Sequence, residues 1–143
     1  MHNYFRIGLA AWAMILSAAS GALTSDIVVV VSAKSPITSL STNQVADIFL
    51  GKVSRFPDGN QAVAIDQTED SAARERFYAQ FTGKSPAQVK SHWSKIIFTG
   101  RGQPPRQAAN SMEAKKWVAG NPHAIGYIES HLLDASVRVV PPQ

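Results

Sequence analysis

Five consecutive β-branched residues, Ile27-Val28-Val29-Val30-Val31, decide the fold class of this chain. The run is long enough for a β-strand and too short for most helices. Because it lacks the apolar–polar alternation of a half-exposed strand, it predicts a strand that is covered on both faces. A strand of this kind belongs to a sheet that lies between two layers of helices.

Helix and strand signals alternate along the rest of the chain. Ser41 with Gln44, and Ser85 with Gln88, form capping boxes, in which a serine and a glutamine three residues later satisfy free N–H groups at a helix start. Helices are predicted to start near 41, 71, 85 and 110, strands to span 62–66, 124–128 and 137–140, and a loop to span 99–109. Strands that alternate with helices predict an α/β domain of three layers, α/β/α.

Composition limits both the size and the chemistry of the protein. Its 143 residues, 45% of them hydrophobic and 17% charged, suit one ordered domain. Because the sequence contains no cysteine, it excludes a disulfide-stabilised miniprotein, a thiol nucleophile and a cysteine-ligated zinc site. It also contains neither a nucleophile-elbow motif nor a nucleotide-binding glycine motif. The sequence therefore predicts a protein that is not an enzyme and carries no cofactor.

The charged side chains predict neither a nucleic-acid site nor a metal site. The formal net charge is +4, the two signs are interspersed, and no aromatic residues line a basic stripe, so nucleic-acid binding is not expected. His92, His123 and His131 lack the spacing of metal ligands on one helix. Asp66 and the two acidic residues that follow it precede a helix start, where capping explains them better than a metal does.

The N-terminal residues have the pattern of a targeting segment. A short polar start with Arg6 precedes an apolar stretch over residues 7–16, and small residues follow at Ser20 and Ala22. This order predicts a signal peptide over residues 1–22 and a domain over residues 23–143. A buried N-terminal helix and a retained anchor are the alternatives. The prediction implies export to the periplasm, without a membrane span in the mature chain.

The start of the second predicted helix has the features of an anion site. A strand is predicted to end at Asp66, and Ser71 opens the helix after it. Free backbone N–H groups at such a helix start, with a hydroxyl beside them, attract small anions through the helix dipole. The alternative is that Ser71 only caps its own helix, and Glu69 and Asp70 would repel an incoming anion.

Several motifs occur in the order in which one family carries them: 40–52 (LSTNQVADIFLGK), Ser71-Ala72-Ala73-Arg74, Trp93, Phe98-Thr99-Gly100-Arg101 and Ala124-Ile125-Gly126-Tyr127. With these motifs the chain resembles the substrate-binding proteins of phosphate ABC transporters, in the type 2 periplasmic-binding superfamily. Members of that family are much longer and clamp phosphate between two lobes. The resemblance therefore implies a single-lobe short form that corresponds to the second lobe.

The resemblance also implies which residues would contact an anion: Thr68, Ser71, Ala72, Ala73 and Arg74. The cradle would consist of the Ser71 hydroxyl and the two alanine N–H groups, with Thr68 beside it and Arg74 reaching back one turn. Two family donors are replaced, because Ala73 stands where the family has threonine and Gln67 where it has arginine. Charge-assisted hydrogen bonds are the strong ones, so weak binding is expected.

Two functions follow as expectations. The first is an exported, non-catalytic binding module related to phosphate-binding proteins, with weak affinity for phosphate or another small oxyanion. The alternative is a periplasmic protein-interaction or sensory-accessory domain that has lost its ligand and has a periplasmic or membrane protein as its partner. The state of Ser71 distinguishes them, because a binder needs an open helix start, whereas an interaction domain needs a capped helix and an exposed apolar patch nearby.

Overall fold

The computed structural model of the chain describes residues 25–141. Over these residues strands and helices alternate in the order that the sequence predicts, with one strand more than expected. The elements are β1 Ile27–Ser32, α1 Thr42–Phe49, β2 Val63–Gln67, α2 Ala72–Thr82, α3 Pro86–Phe98, β3 Arg106–Ala108, α4 Ser111–Ala119, β4 Ala124–Glu129, a 3₁₀ turn at Ser130–Leu132, and β5 Val137–Val139.

The five strands form one mixed sheet in the order β3-β2-β4-β1-β5. β1 is antiparallel to both of its neighbours, and its Val30 lies opposite Gly126 of β4 and Val139 of β5. β2 is parallel to β3 and to β4. The β-branched run is therefore an inner strand of the sheet, as its lack of alternation predicts.

Helices cover both faces of this sheet, which confirms the predicted three-layer α/β/α fold. Val29 and Val31 of β1 face a core shared with α1, α2 and α3, whereas Val30 faces a second core with α4. Among the described residues, all the buried aromatic side chains belong to the first core. One of them, Phe77, stacks on Tyr127 with ring centroids 4.0 Å apart. One strand thus contributes side chains to two separate apolar cores.

Local capping signals place the helices. Both predicted capping boxes are present: Ser41 and Gln44 at α1, and Ser85 and Gln88 at α3, exchange side-chain and backbone hydrogen bonds. After α1, Gly51 adopts a φ of 73°, and a Cβ atom there would lie 2.7 Å from the ring of Trp93 on α3. Only glycine allows both the left-handed turn and this close approach of the two helices.

One secondary-structure prediction is wrong, and the predicted signal peptide cannot be compared with the structure. The segment 99–109, predicted as a loop, contains β3, which pairs in parallel with β2. Because Pro104 and Pro105 cannot donate ladder hydrogen bonds, the strand begins only at Arg106. The predicted signal peptide, residues 1–22, lies outside the described residues. Within residues 25–141, no helix is both long and apolar enough to cross a membrane.

Candidate functional site

The turn between β2 and α2 is closed by Ser71, which occupies the N-cap position of α2. Its hydroxyl oxygen accepts the Arg74 backbone N–H at 3.4 Å and donates its own proton to Oε1 of Gln67 at 2.6 Å. The Ser71 N–H donates to the carbonyl of Thr68 at 2.9 Å. The serine hydroxyl therefore satisfies the chain itself, as the capping alternative requires.

Gln67 stands where the resemblance places an arginine, and it is completely buried. Its Nε2 donates to the Tyr127 carbonyl at 2.9 Å and to the Ser111 hydroxyl at 3.1 Å. Its Oε1 accepts the proton of Ser71. One neutral amide thus joins β2, α2, α4 and β4 under the helix start, and it offers nothing to a ligand in solvent.

Asp66 is the charged centre of the same buried network. It is 1% exposed, and its carboxylate accepts the hydroxyl protons of Tyr78 and Tyr127 at 2.5 Å each. It also accepts the Gln67 backbone N–H at 2.7 Å. The expectation that Asp66 caps the helix is therefore wrong, because its side chain points into the core between two aromatic rings.

The two tyrosines are held in their neutral form. Burial, and then the charge of the Asp66 carboxylate, raise the pKa of Tyr78 well above its usual value. The same two causes raise the pKa of Tyr127. Neutral phenols donate hydrogen bonds, and a buried carboxylate needs such donors, so the two tyrosines satisfy the oxygens of Asp66.

Arg74 also turns inward. Arg74 is only 7% exposed. Its Nε lies 3.5 Å from Oδ1 of Asp66, and its guanidinium carbon lies 5.2 Å from the centre of the Tyr78 ring. The arginine therefore faces the buried carboxylate from within the helix. In this conformation it does not lie over the start of α2, where the resemblance would place it for an anion.

The remaining predicted cradle residues lie where the turn after β2 enters α2. The Thr68 hydroxyl donates to Asp70 at 2.5 Å. Ala72 is exposed and Ala73 is buried. Their backbone N–H groups lie in the first turn of α2, where N–H groups have no acceptor within the helix. Two backbone amides beside exposed carboxylates are chemically able to hold a small oxyanion only weakly. Among residues 25–141 no cluster of side chains could hold a metal ion.

Sequence reasoning missed the partners of this network and a charge asymmetry. Ser111 and Tyr127 contact Gln67 from 44 and 60 positions away in the sequence, so no local motif shows the contact.

The charge asymmetry could have been found in the sequence. Between Glu75 and Glu113 there are six Lys and Arg residues but no Asp or Glu. Cations and anions are therefore not interspersed in this part of the chain.

Solved structures share this architecture. A substrate-binding protein of a phosphate ABC transporter from Clostridium perfringens, solved with bound phosphate, superposes with a TM-score of 0.67 at 22% identity, over 82% of this chain and 45% of that one. A phosphate transport receptor from Vibrio cholerae gives a TM-score of 0.64 at 17% identity, over 81% and 46% of the two chains. No family model and no curated protein matches the sequence.

The chain has the fold of one lobe of a phosphate-binding protein. It spans less than half the length of the solved proteins that it matches. A third structure of this kind, the PstS protein of Borrelia burgdorferi, matches over 83% of this chain and 47% of its own, with a TM-score of 0.60 at 13% identity. The predicted resemblance is therefore confirmed at the level of the single-lobe fold.

Proposed function

We propose that this phosphate-binding-protein lobe is an exported, non-catalytic binding module that holds phosphate or a related oxyanion weakly at the start of α2. The fold supports the class of module, because the similar solved proteins are substrate-binding proteins. The observation that carries the weak affinity is the hydrogen bond of 2.6 Å from Ser71 to Gln67. Because the Ser71 hydroxyl already donates its proton to Gln67, only backbone amides remain to donate hydrogen bonds to an anion.

The expected affinity follows from this arrangement. Charge-assisted contacts contribute most to oxyanion binding, and the guanidinium of Arg74 faces Asp66 instead of the helix start. Glu69 and Asp70 are exposed beside the site, and a site open to solvent acts at high dielectric. We therefore expect a dissociation constant for inorganic phosphate near 1 mM, about −4 kcal/mol.

Isothermal titration of the purified protein with inorganic phosphate measures this affinity. Ser71→Asp places a carboxylate at the helix start and should abolish the weak binding, because the new charge occupies the N–H groups. Ser54→Asp, at an exposed position outside the site, adds the same charge and should leave the binding unchanged. Micromolar affinity that Ser71→Asp removes would contradict the weak site and indicate a complete phosphate receptor.

Export is the second part of the proposal. It rests on the apolar stretch at 7–16 and on the small residues Ser20 and Ala22. The full chain, expressed in a Gram-negative host, should be recovered from the periplasmic fraction with Leu23 as its first residue. N-terminal sequencing makes the measurement. An intact Met1 in the cytoplasmic fraction would overturn this part.

A second candidate function is a periplasmic protein-interaction or sensory-accessory domain. Two hydroxyl groups that already form hydrogen bonds within the protein favour this function. The Ser71 hydroxyl donates to Gln67, and the Thr68 hydroxyl donates to Asp70. The same titration separates the two functions. An absence of heat at 10 mM phosphate, with the fold intact by circular dichroism, would favour the interaction domain over the oxyanion binder.

A further inference from the structure

The solvent side of α3 and of the turns that flank it carries cations without carboxylates. α3 lies inside the stretch between Glu75 and Glu113, which contains Lys and Arg residues but no Asp or Glu. Lys90 and Lys95 are exposed and Lys84 is half-buried. A positive surface of this kind attracts anionic partners and repels cationic ones.

Part of this side is concave. Lys84, Gln88, Ser91, His92 and Lys95 line a shallow groove of about 250 Å³. The ring of His92 is fixed there, because its Nε2 lies 2.7 Å from the Leu50 carbonyl oxygen and can only donate to it. Two ammonium groups beside a hydroxyl and an amide suit a phosphate group.

A large aromatic side chain lies at the end of the same side of the helix. Phe98 is 93% exposed and the neighbouring Ile97 is 54% exposed. Lys95 and Phe98 are three positions apart, so they lie on one side of α3. The groove and Phe98 together are called the α3 face below. It combines a cationic strip with a single protruding aromatic ring.

We propose that the α3 face docks on a bilayer that contains anionic phospholipid. Lys84 and Lys95, at opposite ends of the groove, contact headgroup phosphates, and Phe98 enters the boundary between headgroups and acyl chains. Charge complementarity selects an anionic surface. The small apolar area of the α3 face favours a bilayer over a protein as the partner. Only Phe98 and Ile97 contribute to it, whereas specific protein interfaces bury about 800 Å² on each partner around an apolar centre. Interfacial binding strengthens with the buried apolar area and with the attraction of basic residues to anionic lipids, and the α3 face offers both.

Vesicle co-sedimentation of the full chain tests the docking. The protein should bind vesicles of phosphatidylglycerol and phosphatidylcholine more strongly than vesicles of phosphatidylcholine alone. The double variant Lys84→Ala/Lys95→Ala should bind the anionic vesicles about 30-fold more weakly, equivalent to about 2 kcal/mol at about 1 kcal/mol for each lysine. The matched control is Lys34→Ala/Lys116→Ala, which removes the same charge at exposed positions outside the stretch and should change the binding at most two-fold.

The aromatic contribution has its own pair of variants. Phe98→Ser should weaken binding to anionic vesicles at least five-fold, because the inserted ring is lost. Met112→Ser, at a residue that is 55% exposed on α4, should leave it unchanged. All variants keep the same N-terminal residues, so any contribution of that segment to lipid binding cancels in the comparison.

Three results would overturn the proposal. They are equal binding to anionic and neutral vesicles, equal losses in the two double lysine variants, and an unchanged affinity in Phe98→Ser. Ser71→Asp should leave vesicle binding unchanged, so failure of the phosphate site and failure of the lipid surface are distinguishable. The protein could instead bind an acidic protein in solution and fail to bind vesicles. In that case the α3 face is a protein interface, and docking on a bilayer is excluded.

Discussion

Asp66 shows at the scale of one residue why the candidate site could be predicted only in part. From the sequence its position just before a helix suggests capping, and the structure buries it between Tyr78 and Tyr127. The Ser71 cap depends on neighbours within four positions and could be predicted. Tyr127 lies 61 positions from Asp66, so only the folded sheet brings them together.

The buried tyrosines make stability fall at alkaline pH. Their pKa values are raised in the folded protein, first by burial and then by Asp66. Above about pH 10 the unfolded chain releases phenolic protons that the folded chain retains. The free energy of unfolding should therefore decrease by up to about 1.4 kcal/mol per pH unit for each tyrosine. Below pH 9 this effect should be absent. Urea unfolding between pH 8 and pH 11 measures it.

Tyr78→Phe is the control for this pH dependence. The variant removes one phenol, so its slope above pH 10 should be shallower than that of the parent by about 1.4 kcal/mol per pH unit. Lysine titration contributes equally to both proteins and cancels in the comparison. Identical slopes would show that Tyr78 does not carry a raised pKa in the folded state.

At the scale of elements, the sequence predicts what local chemistry determines. The capping boxes at Ser41 and Ser85 place two helix starts correctly, because each depends on residues three positions apart. β3 was missed because its three residues, Arg106–Ala108, are a strand only through pairing with β2. A short edge strand after two prolines has no periodicity that a sequence can show.

The cap of α3 should contribute measurably to stability. Ser85→Ala removes the oxygen that accepts the Gln88 N–H, so the free energy of unfolding should fall by about 1 kcal/mol. Ser94→Ala, an exposed position within the same helix, is the control and should change it by less than about 0.5 kcal/mol. Urea unfolding at constant m-value measures both. Equal effects of the two substitutions would argue against the cap.

Across the fold as a whole, this single lobe forms two apolar cores of its own. The cores lie on opposite faces of one sheet, and β1 contributes side chains to both. Burial of large apolar side chains contributes about 1.5–3 kcal/mol each. The described lobe therefore contains the interactions that an independent domain needs.

We expect the purified protein to unfold in one cooperative transition. Because the cores share strands, neither can open while the other stays packed. Thermal melts followed by far-UV and near-UV circular dichroism should coincide, and the dye ANS should not bind before the transition. A loss of near-UV signal at a lower temperature, with ANS binding, would show that the lobe needs a second chain to pack.

The sheet order has a consequence for the protein while it is being synthesised. Val30 of β1 pairs with Gly126 and Val139, so both partners of the most apolar strand are made about 100 residues after it. At about 5–20 residues per second the ribosome needs roughly 5–20 s to supply them. During this interval the valine run has no partner strand, and an unpaired strand of this composition is prone to aggregate. Residues 27–31 are therefore exposed to aggregation until β4 and β5 have been synthesised.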